Sequence, residues 1–284
     1  MSRGTHSAPQ VRTAAGPPTR GGTAGPGVSF PGTVRAEWTK FRTVRSTAWS
    51  MLATIVLTIG LGALITGAQV AHWSEMPAAE RARFDPTMAS LSGVFLAQLA
   101  VLVLGVLVMT GEYSSGTIRA TLAAVPRRLP VLGAKVVVFA TVVFLASAVS
   151  ALVAFVIGQS ILAHRGVGTT LSSPGVGRAL LGAAIYLTLV GLLGLGLGAV
   201  LRSTPGAISA GVAGLLVLPI LANFLPGQWS TTVQKFLPGG AGQVLMRVHQ
   251  LPAGLSPLQA GLLLGGYALV AVLAGAVVLS RRDA

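Results

Sequence analysis

Six apolar runs, at about 48–70, 89–110, 131–162, 179–201, 206–225 and 258–280, constrain this chain more than any other feature. A hydrocarbon core of ~30 Å is crossed by about 20 apolar residues in a helix, and each run is long enough. Only 9% of residues are charged, against roughly 25% in soluble domains. With 52% hydrophobic residues and a mean hydropathy of +0.77, the sequence predicts an all-α integral membrane protein with six transmembrane helices. The longest run, 131–162, would extend about 48 Å at ~1.5 Å per residue, so it must tilt or project. Its single charge, Lys135, lies one turn in, which makes the N-terminal end the projecting one. Runs four and five are separated only by Arg202–Pro205, a tight hairpin with proline opening the next helix.

The distribution of Lys and Arg sets an expected orientation. With the N-terminus inside, 14 of the 20 basic residues fall on the cytoplasmic side, so both termini are placed there. Residues 1–32 are rich in Gly, Pro, Ser, Thr and Arg and are expected to be a disordered cytoplasmic tail; residues 33–284 form the six-span domain. The tail lacks the short apolar core of a signal peptide, and the first run reads as an uncleaved anchor.

Several chemistries are excluded. None of the three lysines, 40, 135 and 235, stands between Gly and Ser or Thr, so the chain has no phosphate loop of its own. Histidines 6, 72, 164 and 249 are scattered, cysteine is absent and no metal site is expected. No acidic residue or histidine lies deep in a run, which argues against a proton relay and against intramembrane hydrolysis. The net charge of +14 follows topology rather than a basic face, so nucleic acid is not an expected partner. Gln98, Gln159 and Asn223 are expected to bond between helices, and Pro219 to kink the fifth. Gly194–Gly198 and Gly261–Gly265 have the spacing that lets helices approach closely, within one chain or across a dimer seam.

One polar segment, Gly111–Lys135, interrupts the second and third runs. Ser114 or Ser115 can cap a short helix there, Ile118, Leu122 and Val125 share a face, and Pro126 ends it. Its ordinary reading is a positive-inside loop whose Arg127 and Arg128 meet anionic lipid. Before the first run, Val34, Trp38 and Phe41 recur at helical spacing among Arg35, Lys40, Arg42 and Arg45. This suits a helix lying in the inner interface, or a plain topogenic anchor. In the loop 226–257, Trp229, Val233, Phe236 and Leu237 are expected to form a short helix on the outer leaflet.

The order Thr110-Gly-Glu-Tyr-Ser-Ser-Gly-Thr-Ile-Arg119, then Val125-Pro-Arg-Arg-Leu129 and Ala134-Lys135, resembles the permease subunits of type-2 ABC exporters, the actinobacterial ones especially. Glu37-Trp-Thr-Lys-Phe-Arg42 and the residues to Ser46 look like that family's N-terminal interfacial helix. Pro238–Gln243 is a weaker echo. The resemblance implies a permease at the plasma membrane, surrounded by membrane lipid and paired with a second permease copy, identical or not. It implies no cofactor on this chain, with ATP and magnesium held by a separate phosphate-loop ATPase subunit. The ATPase contact would be a coupling helix carrying Gly116, Thr117, Ile118, Arg119, Leu122, Pro126, Arg127 and Arg128. Glu112 and Tyr113 would be the hinge into it, with Glu112 paired to Arg119, Arg127, Arg128 or Arg42. Glu37, Trp38, Lys40, Phe41 and Arg42 would belong to the interfacial helix. The alternatives are a non-transporting scaffold or immunity-type binding protein and, last, a passive channel.

Overall fold

In lipid a backbone must satisfy its own hydrogen bonds, and the computed structural model, described for residues 29–116, 128–249 and 254–281, is accordingly helical with no strand among those residues. Six helices are long and apolar enough to cross a membrane: Arg45–Ala71, Val94–Ser114, Leu129–Ala163, Val176–Leu201, Thr204–Ala222 and Pro257–Arg281. This is the architecture of a multi-pass integral membrane protein. An N-terminal helix, α1 (Phe30–Thr43), precedes them and begins inside the stretch expected to be tail, because Ser29 Oγ accepts from the Gly32 amide and Pro31 stands in the first turn. Val44, in extended geometry, separates α1 from the first span.

The even-numbered spans run parallel to one another, with the fourth in the middle. Gly194 and Gly198 lie against the Leu102 and Val106 carbonyls of the second span, and Gly105 lies against Gly191 of the fourth. On its other side the fourth span meets the sixth, Gly196 against Ala271 and Ala199 against Gly275. A Cβ at Gly105 or Gly196 would fall inside the partner's backbone, so these contacts exist only because the side chain is a hydrogen. The Gly194–Gly198 pair therefore packs within the chain. Gly265 has open space around it.

The third span, part of the helix Arg128–Ala163, covers this layer, with fully buried Phe139 against Gly191. The first span adds its polar face: Thr47, Thr54, Thr58 and Thr66 are buried, while Trp49, Leu52, Val56 and Leu64 are exposed to where acyl chains would lie. Thr54 and Thr58 donate back to carbonyls one turn earlier, and Thr66 donates to the Ala89 carbonyl.

Two boundaries differ from the expected runs. The second span starts at Val94, because Asp85 caps a separate short helix (Pro86–Ser90) and Gly93 turns the chain against the Leu57 and Thr58 carbonyls. Those carbonyls belong to a widened π turn in the first span, Leu57–Leu61. The fifth span ends at Ala222, and its distortion precedes Pro219 as a second π turn, Ala213–Val217. Proline lacks the N–H and crowds the carbonyl four residues earlier, here Leu215.

Candidate functional site

A group of buried ion pairs sits at the end of the bundle where Arg45, Ser114, Arg128, Leu201 and Arg281 lie. This basic end is organised around the last two turns of the second span. Glu112 sits near that helix's C-terminus and Lys135 in the opening turns of the third span, each at the unfavourable pole of its own helix dipole. They offset this by pairing with each other, Lys135 Nζ to Glu112 Oε1 at 2.8 Å. Glu37 and Lys40 of α1 complete a closed ring. Lys135 Nζ lies 2.6 Å from Glu37 Oε2, Lys40 Nζ 2.7 Å from Glu37 Oε1, and Lys40 Nζ 3.0 Å from Glu112 Oε1.

Two carboxylates and two ammoniums alternate around the ring, so its charges cancel. Three of its side chains are nearly closed off from solvent: Glu37 at 4%, Lys135 at 5% and Glu112 at 10% exposed. Lys40, at 36%, is the open edge. Burial lowers the affinity of the Lys40 ammonium for its proton, but the Glu37 hydrogen bond and the Glu112 charge outweigh this and hold its pKa above the ordinary lysine value near 10.5. Together the four residues tie α1, the second span and the third span at one point.

The rotation of α1 is set by its polar residues. Thr33 and Glu37 are the buried positions, and Trp38 is 44% exposed. Phe41 packs edge-on against Phe139 at 6.3 Å between ring centroids, and the Arg42 guanidinium stands 5.9 Å from the centre of the Trp38 ring. Pairing Glu37 with two lysines is worth more to this helix than burying Trp38, which an apolar surrounding satisfies equally well from outside. Arg42, one of the expected partners of Glu112, is therefore on the outer side; the observed partners are Lys40 and Lys135.

Glu112 and Tyr113, expected as a hinge, lie within unbroken helix. The turn falls later: the Ser114 and Ser115 hydroxyls donate to the Gly111 carbonyl, and Gly116 adopts φ +68°, a conformation that ends helices and favours glycine. Thr117, Ile118, Arg119, Leu122, Pro126 and Arg127, and the side chain of Arg128, lie outside the described residues. Tyr113 faces away from the charge ring, its aromatic face 5.1 Å from the Arg202 guanidinium. Arg202, itself at φ +51° in the hairpin between the fourth and fifth spans, also donates to the Val278 carbonyl of the sixth at 3.4 Å. One turn below, the Thr204 and Thr110 hydroxyls bond at 2.8 Å. Residues 110–113 thus bind α1 and the third span on one side and the 202–204 hairpin on the other. Lys135, Arg202 and Thr110 were not among the expected site residues. The available signal was Lys135, a lone charge in a long apolar run.

The opposite end is tied by different chemistry. Asp85 Oδ2 accepts from the Val248 amide at 3.0 Å, and Arg178 donates to the Arg247 and Val248 carbonyls at 2.6 and 3.2 Å. Gln159 binds Pro86, Ser90 and the Thr169 amide, and Tyr186 donates to Gln98 between the fourth and second spans. Asn223 accepts from Gln234 at 2.6 Å, anchoring the first of two short helices, Gln228–Phe236 and Pro238–Met246, where one was expected. Trp229 is 70% exposed on that first helix. Among the described residues no three His, Cys, Asp or Glu gather as metal ligands. No family model matches the chain, and no curated protein is similar to it.

Proposed function

We propose that this chain is the permease half of an ATP-driven exporter in the cell membrane, working as a dimer with two copies of a separate ATPase subunit. The observation that carries the reading is the bracing of residues 110–113. The segment 116–128, which resembles a coupling helix, follows directly from a helix end held by ion pairs to α1 and the third span and through Arg202 to the fourth and sixth. A push on that segment is delivered to the whole basic end at once instead of being absorbed by a loop. ATP and magnesium would bind the partner chain, whose closure drives the two coupling segments together and switches the dimer between inward and outward access. The first and fifth spans are candidates for the dimer seam. Only 22% of the most apolar stretch of each is buried, against 61% for the fourth span.

The test is purification of the tagged protein from its native membrane in mild detergent, with mass spectrometry and an ATPase assay of the eluate. The expected result is a stoichiometric phosphate-loop ATPase that is lost when Arg127 and Arg128 are both replaced by Glu. An eluate without ATPase, under conditions that preserve other transporter complexes, would overturn the permease reading.

A further inference from the structure

Charge and shape on the outer side of α1 point to a lipid. A groove of about 450 Å³ runs between α1, the first span and the third span, walled by Ile55, Ile59, Val142, Leu145 and Val149, with Trp38 at its basic end. Leu145 and Val149 lie ten and fourteen residues beyond Lys135, about 15–21 Å along the helix. That depth matches one leaflet of a ~30 Å hydrocarbon core. At the mouth, the exposed Arg42 guanidinium stands over the Trp38 ring. Among the described residues no carboxylate lies within ion-pair distance of Arg42, Arg35 or Arg45, all of them exposed. The same helix withdraws its one carboxylate, Glu37, into the charge ring, where two lysines neutralise it. The surface left facing the headgroup region is aromatic and cationic, above an apolar groove.

We propose that this groove binds one anionic phospholipid of the adjacent leaflet, an acyl chain lying along Ile55, Ile59, Leu145 and Val149 and the phosphate resting on Arg42 beside Trp38. The assignment requires the basic end to lie at headgroup level and does not depend on the exporter reading. Its occupant also explains the rotation of α1: a helix that presents Trp38 and Arg42 outward gains where a phosphate and an acyl chain receive them.

The full chain would be reconstituted in nanodiscs of equal phosphatidylglycerol and phosphatidylcholine, transferred to mild detergent, and its retained lipids counted by native mass spectrometry. One phosphatidylglycerol per chain is expected. Arg42→Ala should lower the phosphatidylglycerol-to-phosphatidylcholine ratio about fivefold, the effect of one basic residue near a membrane surface. Leu145→Trp, at an exposed position that the fold tolerates, should fill the groove and remove retention of either lipid. Equal retention of the two lipids by the parent chain, or phosphatidylglycerol retention unchanged in both variants, would overturn the site. So would a disulfide between two copies of a Leu145→Cys variant, which would assign the face to a second chain. Lipid retention is read without any ATPase, so it can fail or succeed independently of the pull-down.

Discussion

Replacing Lys135 with Met isolates what the charge ring contributes. The variant keeps the length and the apolar stem of the side chain but leaves Glu37 and Glu112, 4% and 10% exposed, sharing the single ammonium of Lys40. Lys135 makes the shortest contact in the ring, 2.6 Å to Glu37, and the second contact of Glu112, at 2.8 Å. Removing one partner of a buried pair costs about 3–5 kcal/mol, because the remaining charge has lost both water and counter-charge. Removing an opposite pair together costs far less, so Glu37→Gln with Lys135→Met should recover most of the loss and leave Glu112 with Lys40. The ring ties α1 to the second and third spans beside the Phe41–Phe139 contact, so the loss should appear in α1 first. Hydrogen exchange of the α1 amides in nanodiscs reads it: ~3 kcal/mol corresponds to exchange on the order of a hundredfold faster for Lys135→Met. The double variant should return to within about tenfold of the parent, a coupling of ~1.5 kcal/mol or more. Exchange within about threefold of the parent in Lys135→Met, or strictly additive effects in the double variant, would refute the reasoning and leave α1 held by its packing alone.

Gly105→Ala should destabilise the bundle by about 1–3 kcal/mol or prevent its assembly, whereas Gly265→Ala, with nothing in reach of its Cβ, should be within ~0.5 kcal/mol of the parent. Thermal unfolding followed by size-exclusion chromatography distinguishes the two. Tyr186→Phe leaves the buried Gln98 oxygen without its donor and should cost ~1 kcal/mol in the same assay, with Gln98→Leu added to it recovering part of the loss. Lys40 has a raised pKa in the folded chain, so its contribution is complete below the unfolded lysine value near 10.5 and is lost as pH rises through the higher folded value. Protection of α1 should hold from neutral pH to about 10.5 and fall only above it, and Lys40→Gln should flatten that high-pH limb.

Several elements were legible in the sequence because their causes are local. Twenty or so apolar residues leave a backbone in lipid no choice but helix, and the Arg202–Pro205 hairpin follows from four residues of turn and cap chemistry. The expected site was less legible. Glu112 was correctly expected to need a partner. Which cation it finds depends on pairings 72 and 23 residues away in the chain, and nothing in the local pattern separates Lys40 and Lys135 from the neighbouring arginines. The helix runs on through Glu112 and Tyr113 and ends at Gly116, where the two serine hydroxyls bond back to the Gly111 carbonyl.

The sequence by itself determined that the chain has six helices long and apolar enough to cross a membrane, and where most of the length of each lies. Tertiary structure alone decided which side of each helix faces in. In water the apolar stripe of α1 would mark its packing face. Beside lipid, apolar side chains are satisfied on either side, so the inward face is set by what lipid cannot satisfy: the Glu37 carboxylate in α1, the threonines of the first span, and the bare backbone at Gly105, Gly194 and Gly196. Those groups find partners only when distant segments meet.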